Sequence, residues 1–223
     1  ARLMGTAAVL FDLDGTLLDT APDMVPVLNA LRAEEGLSAL PYAAVRPYVS
    51  NGSAGLVRIG FPDRPPEAHA ALQARYLERY ATQLLRSTRL FAGMDDLLRS
   101  LEERTIPWGV VTNKPAHLTE PLLAGLGLLT RAACVVSGDT LPERKPHPRP
   151  VQHAVAAIGA PLHRAIYVGD AERDIAAGRG AGARTIAAAY GYVPPGEQPA
   201  AWGADAVVTS VDELRLAIHA FLD

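Results

Sequence analysis

Cysteine and lysine are almost missing from this chain. A single cysteine in 223 residues, Cys134, excludes an internal disulfide and argues against a cysteine-rich metal site, which suits a reducing compartment. Of the 21 basic residues only Lys114 and Lys145 are lysine, the rest being arginine. A compact ammonium is a point charge where guanidinium is a planar fork, so a retained lysine invites a chemical reading beside the structural one. Long apolar runs are also lacking. Stretches such as Ala7 to Phe11 and Gly109 to Val111 are strand-sized and too short to cross a bilayer. Nothing before Asp12 has the form of a secretory leader. A net charge of −3 gives no electrostatic footprint for nucleic acid or an anionic membrane. The expectation is a cytoplasmic protein with no nucleic-acid or membrane partner, compatible with either a monomer or a homodimer.

What is present is a rhythm. Ala7 to Phe11 reads as a buried strand running into the polar turn Asp12-Leu13-Asp14-Gly15-Thr16. Thr20, Pro22 and Asp23 then have the form of a helix start, with Thr20 capping and Asp23 returning the bond. From there to about Leu85 apolar residues recur at three- and four-residue spacing, as in Leu72, Tyr76, Tyr80 and Leu84, with no strand-like alternation. This segment predicts a small all-helical unit. After Gly93, helices at 94–103, 115–126 and 211–221 alternate with strands at 108–112, 134–136, 165–168, 184–187 and 206–208. Such alternation predicts an α/β fold, a Rossmann-like, mostly parallel sheet with helices on both faces. The division expected is a core of residues 1–17 and 89–223 interrupted by a helical cap of residues 18–88.

In open parallel sheets, ligands bind beyond the carboxyl ends of the strands. Polar residues collect at those ends here. Asp12 and Asp14 follow the first strand, Thr112 and Asn113 another, and Asp170 a third, with Asp174 one helical turn further on. Lys145 sits in the proline-stiffened run Arg144-Lys145-Pro146-His147-Pro148. Carboxylates converging on one crevice repel unless a cation joins them, and oxygen-only ligation suits Mg²⁺. The set is suited to a phosphate monoester. Asp12 is the candidate nucleophile, forming an aspartyl-phosphate. Asp14 is the candidate acid and base, Thr112 a hydroxyl donor, and Lys145 the counter-charge. Amides of the turn from Leu13 to Gly15 add further donors for the phosphoryl oxygens.

Asp174 also reads as an ordinary carboxylate in a first helical turn. Lys114 reads better as a solvated or supporting lysine than as a catalytic one, and His147 as a loop stiffener or a neighbour of the site. Asn51-Gly52-Ser53 looks like a helix start able to favour an anion, or simply a turn with a cap.

These residues resemble the haloacid dehalogenase superfamily. Phe11 to Leu17 is similar to its first motif, Val111-Thr112-Asn113 to its second, Lys145-Pro146 to its third, and Gly169 to Asp174 to its fourth. The resemblance covers essentially the whole chain. It implies Asp12, the Asp14 carbonyl and Asp170 as metal ligands, Asp174 as a direct or water-mediated supporter, and Mg²⁺ as cofactor. It also implies a cap that closes over the substrate.

Absences narrow the reaction. A dehalogenase has no need of Asp14, which is present. A phosphonate-cleaving relative needs a cap lysine, and residues 18–88 contain none. A mutase of the β-phosphoglucomutase type needs a cap histidine soon after the first motif, whereas the first histidine is His69. An inactive binding relative would have lost Asp12, Asp14 or Lys145. Hydrolysis of a small phosphorylated metabolite is what the resemblance leaves. Within the phosphatases, Val45-Arg46, Asn51-Gly52, Thr112 to Pro115, Lys145 to Pro148 and Tyr190-Gly191-Tyr192 resemble phosphoglycolate phosphatases. Trp108 to Pro115 and Trp202 to Asp205 equally resemble N-acetylmuramic acid 6-phosphate phosphatases. Arg46, Asn51 and Gly52, with Arg58, are the cap residues expected to meet the substrate, the arginines through a carboxylate or else as solvated surface.

Overall fold

The computed structural model describes residues 7–223. Strand β1 (Ala8–Phe11) is wholly buried and leads through the Asp12 turn to the two-residue strand β2 (Leu18–Asp19). Four helices follow: α1 (Ala21–Glu34), α2 (Tyr42–Val45), α3 (Gly52–Gly60) and α4 (Pro66–Ala81), with a 3₁₀ turn at Arg46–Asn51 joining α2 to α3. The chain returns through β3 (Arg89–Leu90), which pairs antiparallel with β2. It then alternates α5 (Met94–Glu103), β4 (Trp108–Val111), α6 (Ala116–Gly125), β5 (Cys134–Val136), α7 (Arg149–Ile158), β6 (Ala165–Gly169), α8 (Glu172–Ala181), β7 (Arg184–Ala188), β8 (Ala206–Val208) and α9 (Val211–Leu222).

The six long strands form one parallel sheet in the order β5-β4-β1-β6-β7-β8, with β1 between β4 and β6. Side chains of a strand alternate between faces, and each face of β1 has its own helices to meet. Val9 and Phe11 pack with Leu97, Leu98, Leu101, Leu122 and Leu214 from α5, α6 and α9. Leu10 faces the other way, into a cluster with Val151 and Val155 of α7 and Ala177 of α8. Burial on both faces explains why the strands read as unbroken apolar runs. The helical segment has a separate core in which Leu28, Leu31, Leu56, Leu72, Tyr76 and Tyr80 meet, joined by Leu118 and Tyr192 from the sheet domain. Among the described residues, no helix is long and apolar enough to cross a membrane.

The expected capping box at α1 does not form. Thr20 has near-helical backbone angles and makes no side-chain cap bond. Its hydroxyl donates instead to Asp14 Oδ1 at 2.7 Å, because an ionised carboxylate is the stronger acceptor within reach. The buried Ala21 amide at the start of α1 is met from outside the helix by Tyr192 Oη at 2.8 Å, and Tyr192 in turn donates to Asp19 at 2.6 Å. Asp23 turns away to the returning strand. Its carboxylate accepts from the amides of Ser87 and Thr88, both at 2.8 Å, and from Thr88 Oγ1 at 2.7 Å.

Asp23 and Thr88 are both buried, so removing the acceptor strands donors that water cannot reach. Asp23→Ala is expected to lower unfolding stability by about 2 kcal/mol, read by urea denaturation. A loss below about 0.5 kcal/mol, typical of a surface change, would show that this carboxylate does not tie the returning chain.

Candidate active site

The turn after β1 is built tightly. The Leu13 carbonyl accepts the amides of Thr16, Leu17 and Leu18 at 3.3, 3.1 and 2.9 Å, while the Leu13 side chain is fully buried in the core below. Gly15 has φ +84°, and a Cβ there would lie 2.1 Å from Asp170 Oδ2 and 2.8 Å from Tyr192. Only glycine lets the turn approach the β6 end so closely. Asp12 is held at the end of β1, its amide bonded to the Val168 carbonyl at 2.9 Å.

Three buried carboxylates meet at this point. Asp12, Asp170 and Asp174 each bring an oxygen within 4.8 Å of the others. Lys145 Nζ lies 2.8 Å from Asp12 Oδ1 and 2.8 Å from Asp174 Oδ1. It is fixed there by donating to the Val111 carbonyl at 3.0 Å and to Tyr167 Oη at 2.8 Å. Asn113 anchors the lysine's backbone, with Nδ2 donating to the Lys145 carbonyl and Oδ1 accepting the Lys145 amide, both at 3.0 Å. The Asn113 side chain is thus spent on positioning. Thr112 Oγ1 accepts the Lys114 amide at 3.1 Å, which leaves its own hydrogen free to donate.

The electrostatics follow from burial. Desolvation, with Asp174 adding repulsion and Lys145 opposing both, raises Asp12 from the usual aspartate range to about 6. Desolvation and the charges of Asp12 and Asp174 raise Asp170 to about 8, against the bonds from Ser50 and the Tyr192 amide. For Lys145, burial pulls downward, but Asp12 and Asp174 outweigh it, and its pKa is raised. Asp174 Oδ1 is buried and lacks a hydrogen bond of good geometry despite its short contact with Lys145. The donor set is all oxygen, crowded and under-satisfied, which is the condition a hard divalent cation such as Mg²⁺ relieves. Asp12, Asp170 and Asp174 are the residues that would hold it.

Asp14 splits in two. Its carbonyl accepts from Ser50 Oγ at 2.9 Å, and the same hydroxyl lies 2.6 Å from Asp170 Oδ2, so the carbonyl borders the carboxylate cluster. The Asp14 carboxylate points elsewhere, to Thr20 and to Lys114 Nζ at 2.9 and 3.1 Å. Of the two readings of Lys114, solvated or supporting, only the second stands: its side chain is 5% exposed and paired with Asp14.

A cavity of about 850 Å³ opens above Asp12 and Thr112, roofed by α3 and α4. Asp14, Asn113, Lys114 and Lys145 line it from below, and Asn51, Gly52 and Arg58 from above. Leu13, Gly15, Asp170 and Asp174 are not part of its lining, and neither is Arg46, whose guanidinium stacks 4.8 Å from the Tyr192 ring. Asn51 does not cap α3 with its side chain. Its Oδ1 accepts instead from Arg173 at 3.3 Å, and Arg173 also donates to the Ser50 carbonyl. His147 lies outside the lining, its Nδ1 accepting the Arg149 amide at 3.1 Å. Ser50, Arg173 and Tyr192 escaped the sequence reading as site residues. Arg173 carried a signal in its place between Asp170 and Asp174, and Tyr192 in the run Tyr190-Gly191-Tyr192.

Asp12 and Asp170 hold protons more tightly in the fold than in the unfolded chain. The metal-free protein therefore loses stability as pH rises from the ordinary aspartate range through about 8. Magnesium must displace those protons at low pH and meets bare charge at high pH. The gain in Tm on adding Mg²⁺ to metal-free protein is expected to be larger near pH 8.5 than near pH 5.5. An equal or smaller gain at the higher pH would contradict a cation site built on these carboxylates.

Residues 9–188 match the family described as haloacid dehalogenase-like hydrolase. The chain is 44% identical over 207 residues to a phosphoglycolate phosphatase of Xanthomonas campestris, covering 93% of this chain and 94% of that protein. It is 41% identical over 220 residues to an N-acetylmuramic acid 6-phosphate phosphatase of Pseudomonas putida, covering 98% and 99%. The crystal structure of a predicted phosphoglycolate phosphatase from Haemophilus somnus superposes with a TM-score of 0.83 at 25% identity, over 97% of this chain and 100% of that one. With sheet order, turn and match in agreement, the chain belongs to the haloacid dehalogenase-like hydrolase family.

Proposed function

We propose that this chain is a magnesium-dependent phosphomonoesterase that works through an aspartyl-phosphate on Asp12. The observation that carries this reading is the buried Asp12 carboxylate, 2.8 Å from the Lys145 ammonium and facing a cavity. Lys145 offsets the charge of Asp12 and of an arriving phosphoryl group, so that two anions can meet. The Thr112 hydroxyl donates to a phosphoryl oxygen, and the Leu13 and Asp14 amides add donors, whereas the Gly15 amide expected to join them is spent on the Leu18 carbonyl at 2.9 Å. Bound Mg²⁺ supplies the remaining charge neutralisation as a Lewis acid. The Asp12 oxygen attacks phosphorus and the ester oxygen leaves with a proton from Asp14. Asp14 then takes a proton from the water that releases phosphate and restores Asp12.

The first substrate reading is 2-phosphoglycolate, on the 44% identity to the Xanthomonas protein. A second, N-acetylmuramic acid 6-phosphate, is favoured by cavity size. About 850 Å³ is generous for a two-carbon acid and comfortable for a sugar phosphate. Both are small molecules carrying a phosphate ester. The helical segment over the site, residues 18–88 in our division, serves in this reading as the cap that excludes water and selects the leaving group.

Phosphate release from a panel holding both esters and p-nitrophenyl phosphate tests the proposal. Activity is expected with Mg²⁺, lost on chelation and restored by adding the metal back. Asp12→Asn should fold normally and lose about 10⁴-fold in kcat, because an amide is a poor nucleophile. Activity above about a tenth of wild type in that variant would remove Asp12 from the role.

A further inference from the structure

Lys114 is one of two lysines in the chain and is buried in the same cavity as Asp12. Its ammonium sits 4.7 Å from the centre of the Tyr80 ring and 3.8 Å from Met24 Sδ, both on the helices above. Among the described residues its ion pair is with Asp14 alone. Beside it lies an unused donor. Tyr80 is 1% exposed and its hydroxyl has no hydrogen-bond partner. An ammonium and the ring that carries a spare phenol thus border the same cavity, and the ammonium has one carboxylate partner, Asp14, which has other work.

In the reaction proposed above, Asp14 must deliver a proton to the leaving oxygen. While bonded to Lys114 and Thr20 its carboxylate is committed elsewhere. Turning it inward would leave a buried ammonium without counter-charge, which is strongly unfavourable. A substrate bearing a second anion removes the difficulty. We propose that Lys114 and the Tyr80 hydroxyl form the site for a substrate carboxylate, whose arrival takes the place of Asp14 on the ammonium and frees Asp14 for acid–base work. Lys114 then acts as a specificity residue and, through Asp14, as a positioning residue. An ester without the carboxylate leaves the ammonium unpaired, so Asp14 stays where it is. The selection is for charge, not size, and it acts on the chemical step as well as on binding. This inference rests on the phosphatase reading and adds to it the residues that read the carboxylic acid both candidate substrates carry.

The test uses pairs of esters that differ by the acid. 2-Phosphoglycolate is set against ethyl phosphate, and N-acetylmuramic acid 6-phosphate against N-acetylglucosamine 6-phosphate. The readout is the ratio of kcat/KM within a pair, for wild type, Lys114→Met and Tyr80→Phe. Damage to the fold or to Asp14 lowers both members alike and leaves the ratio standing, so a merely structural lysine does not move it. The wild type is expected to prefer the acid in at least one pair by about tenfold or more. Lys114→Met should bring that ratio to within about threefold of one. Tyr80→Phe, which deletes only a hydroxyl with no partner in the protein, should lower it by about tenfold through loss of a bond to a charged group. It decides the matter if the lysine variant does not fold. No preference in either pair, or a preference that survives these substitutions, overturns the inference and directs attention to Arg58. A wild type that releases phosphate from no ester at all refutes the phosphatase reading instead.

Discussion

One buried cation holds this site together. The Lys145 ammonium stands between Asp12 and Asp174, 2.8 Å from each, and is pinned by the Val111 carbonyl and the Tyr167 hydroxyl. Without it, three carboxylates from the ends of β1 and β6 and the first turn of α8 would face each other in a medium that screens charge poorly. Much of the surrounding structure serves this contact. Asn113 fixes the lysine's backbone, Gly15 lets the first turn close on Asp170, and the parallel sheet sets the strand ends side by side. One ammonium does not neutralise three carboxylates. Arg173, half-buried at the cavity wall and with its pKa raised by Asp174, Asp12 and Asp170 against its own desolvation, adds to the balance. The residual negative charge is what makes the cluster hospitable to a divalent cation.

The helices over the cavity are tied to this charge cluster and not merely placed above it. Ser50 reaches the Asp14 carbonyl and Asp170, while Arg173 reaches back to the Ser50 carbonyl and Asn51. Tyr192 receives the first amide of α1 and bonds Asp19 near the β2–β3 ribbon. Each link joins the upper helices to a residue within a few positions of the catalytic candidates. The position of the helices and that of the carboxylates are therefore linked through short, named bonds. The same economy applies to Asp14, whose carbonyl and carboxylate serve different neighbours.

Much of the architecture was legible because strands buried on both faces leave unbroken apolar runs, and the polar residues that follow them mark the strand ends. The four-residue step from Asp170 to Asp174 was likewise a local signal, since it spans one helical turn. What escaped depends on distant approach. Thr20 and Asp23 have the local form of a capping box, yet each finds a stronger partner brought in by the fold, Asp14 for one and the Ser87–Thr88 amides for the other. Lys114 reads as either a solvated or a supporting lysine until Tyr80 and Met24 close over it. Arg46 reads as a pocket residue, but the Tyr192 ring draws it to the seam between helices and sheet. No periodicity reports such contacts, because they lie between elements far apart in the chain.

The central claim is that the Asp12 carboxylate itself bonds to phosphorus. Rapid acid quenching of the enzyme during turnover with magnesium and substrate, followed by peptide mapping by mass spectrometry, addresses it directly. The account predicts one phosphoryl group on the peptide containing Asp12, formed within the first turnover and discharged when substrate is exhausted. A fully active enzyme that carries no phosphoryl group at any quench time, or carries it on another residue, would contradict it.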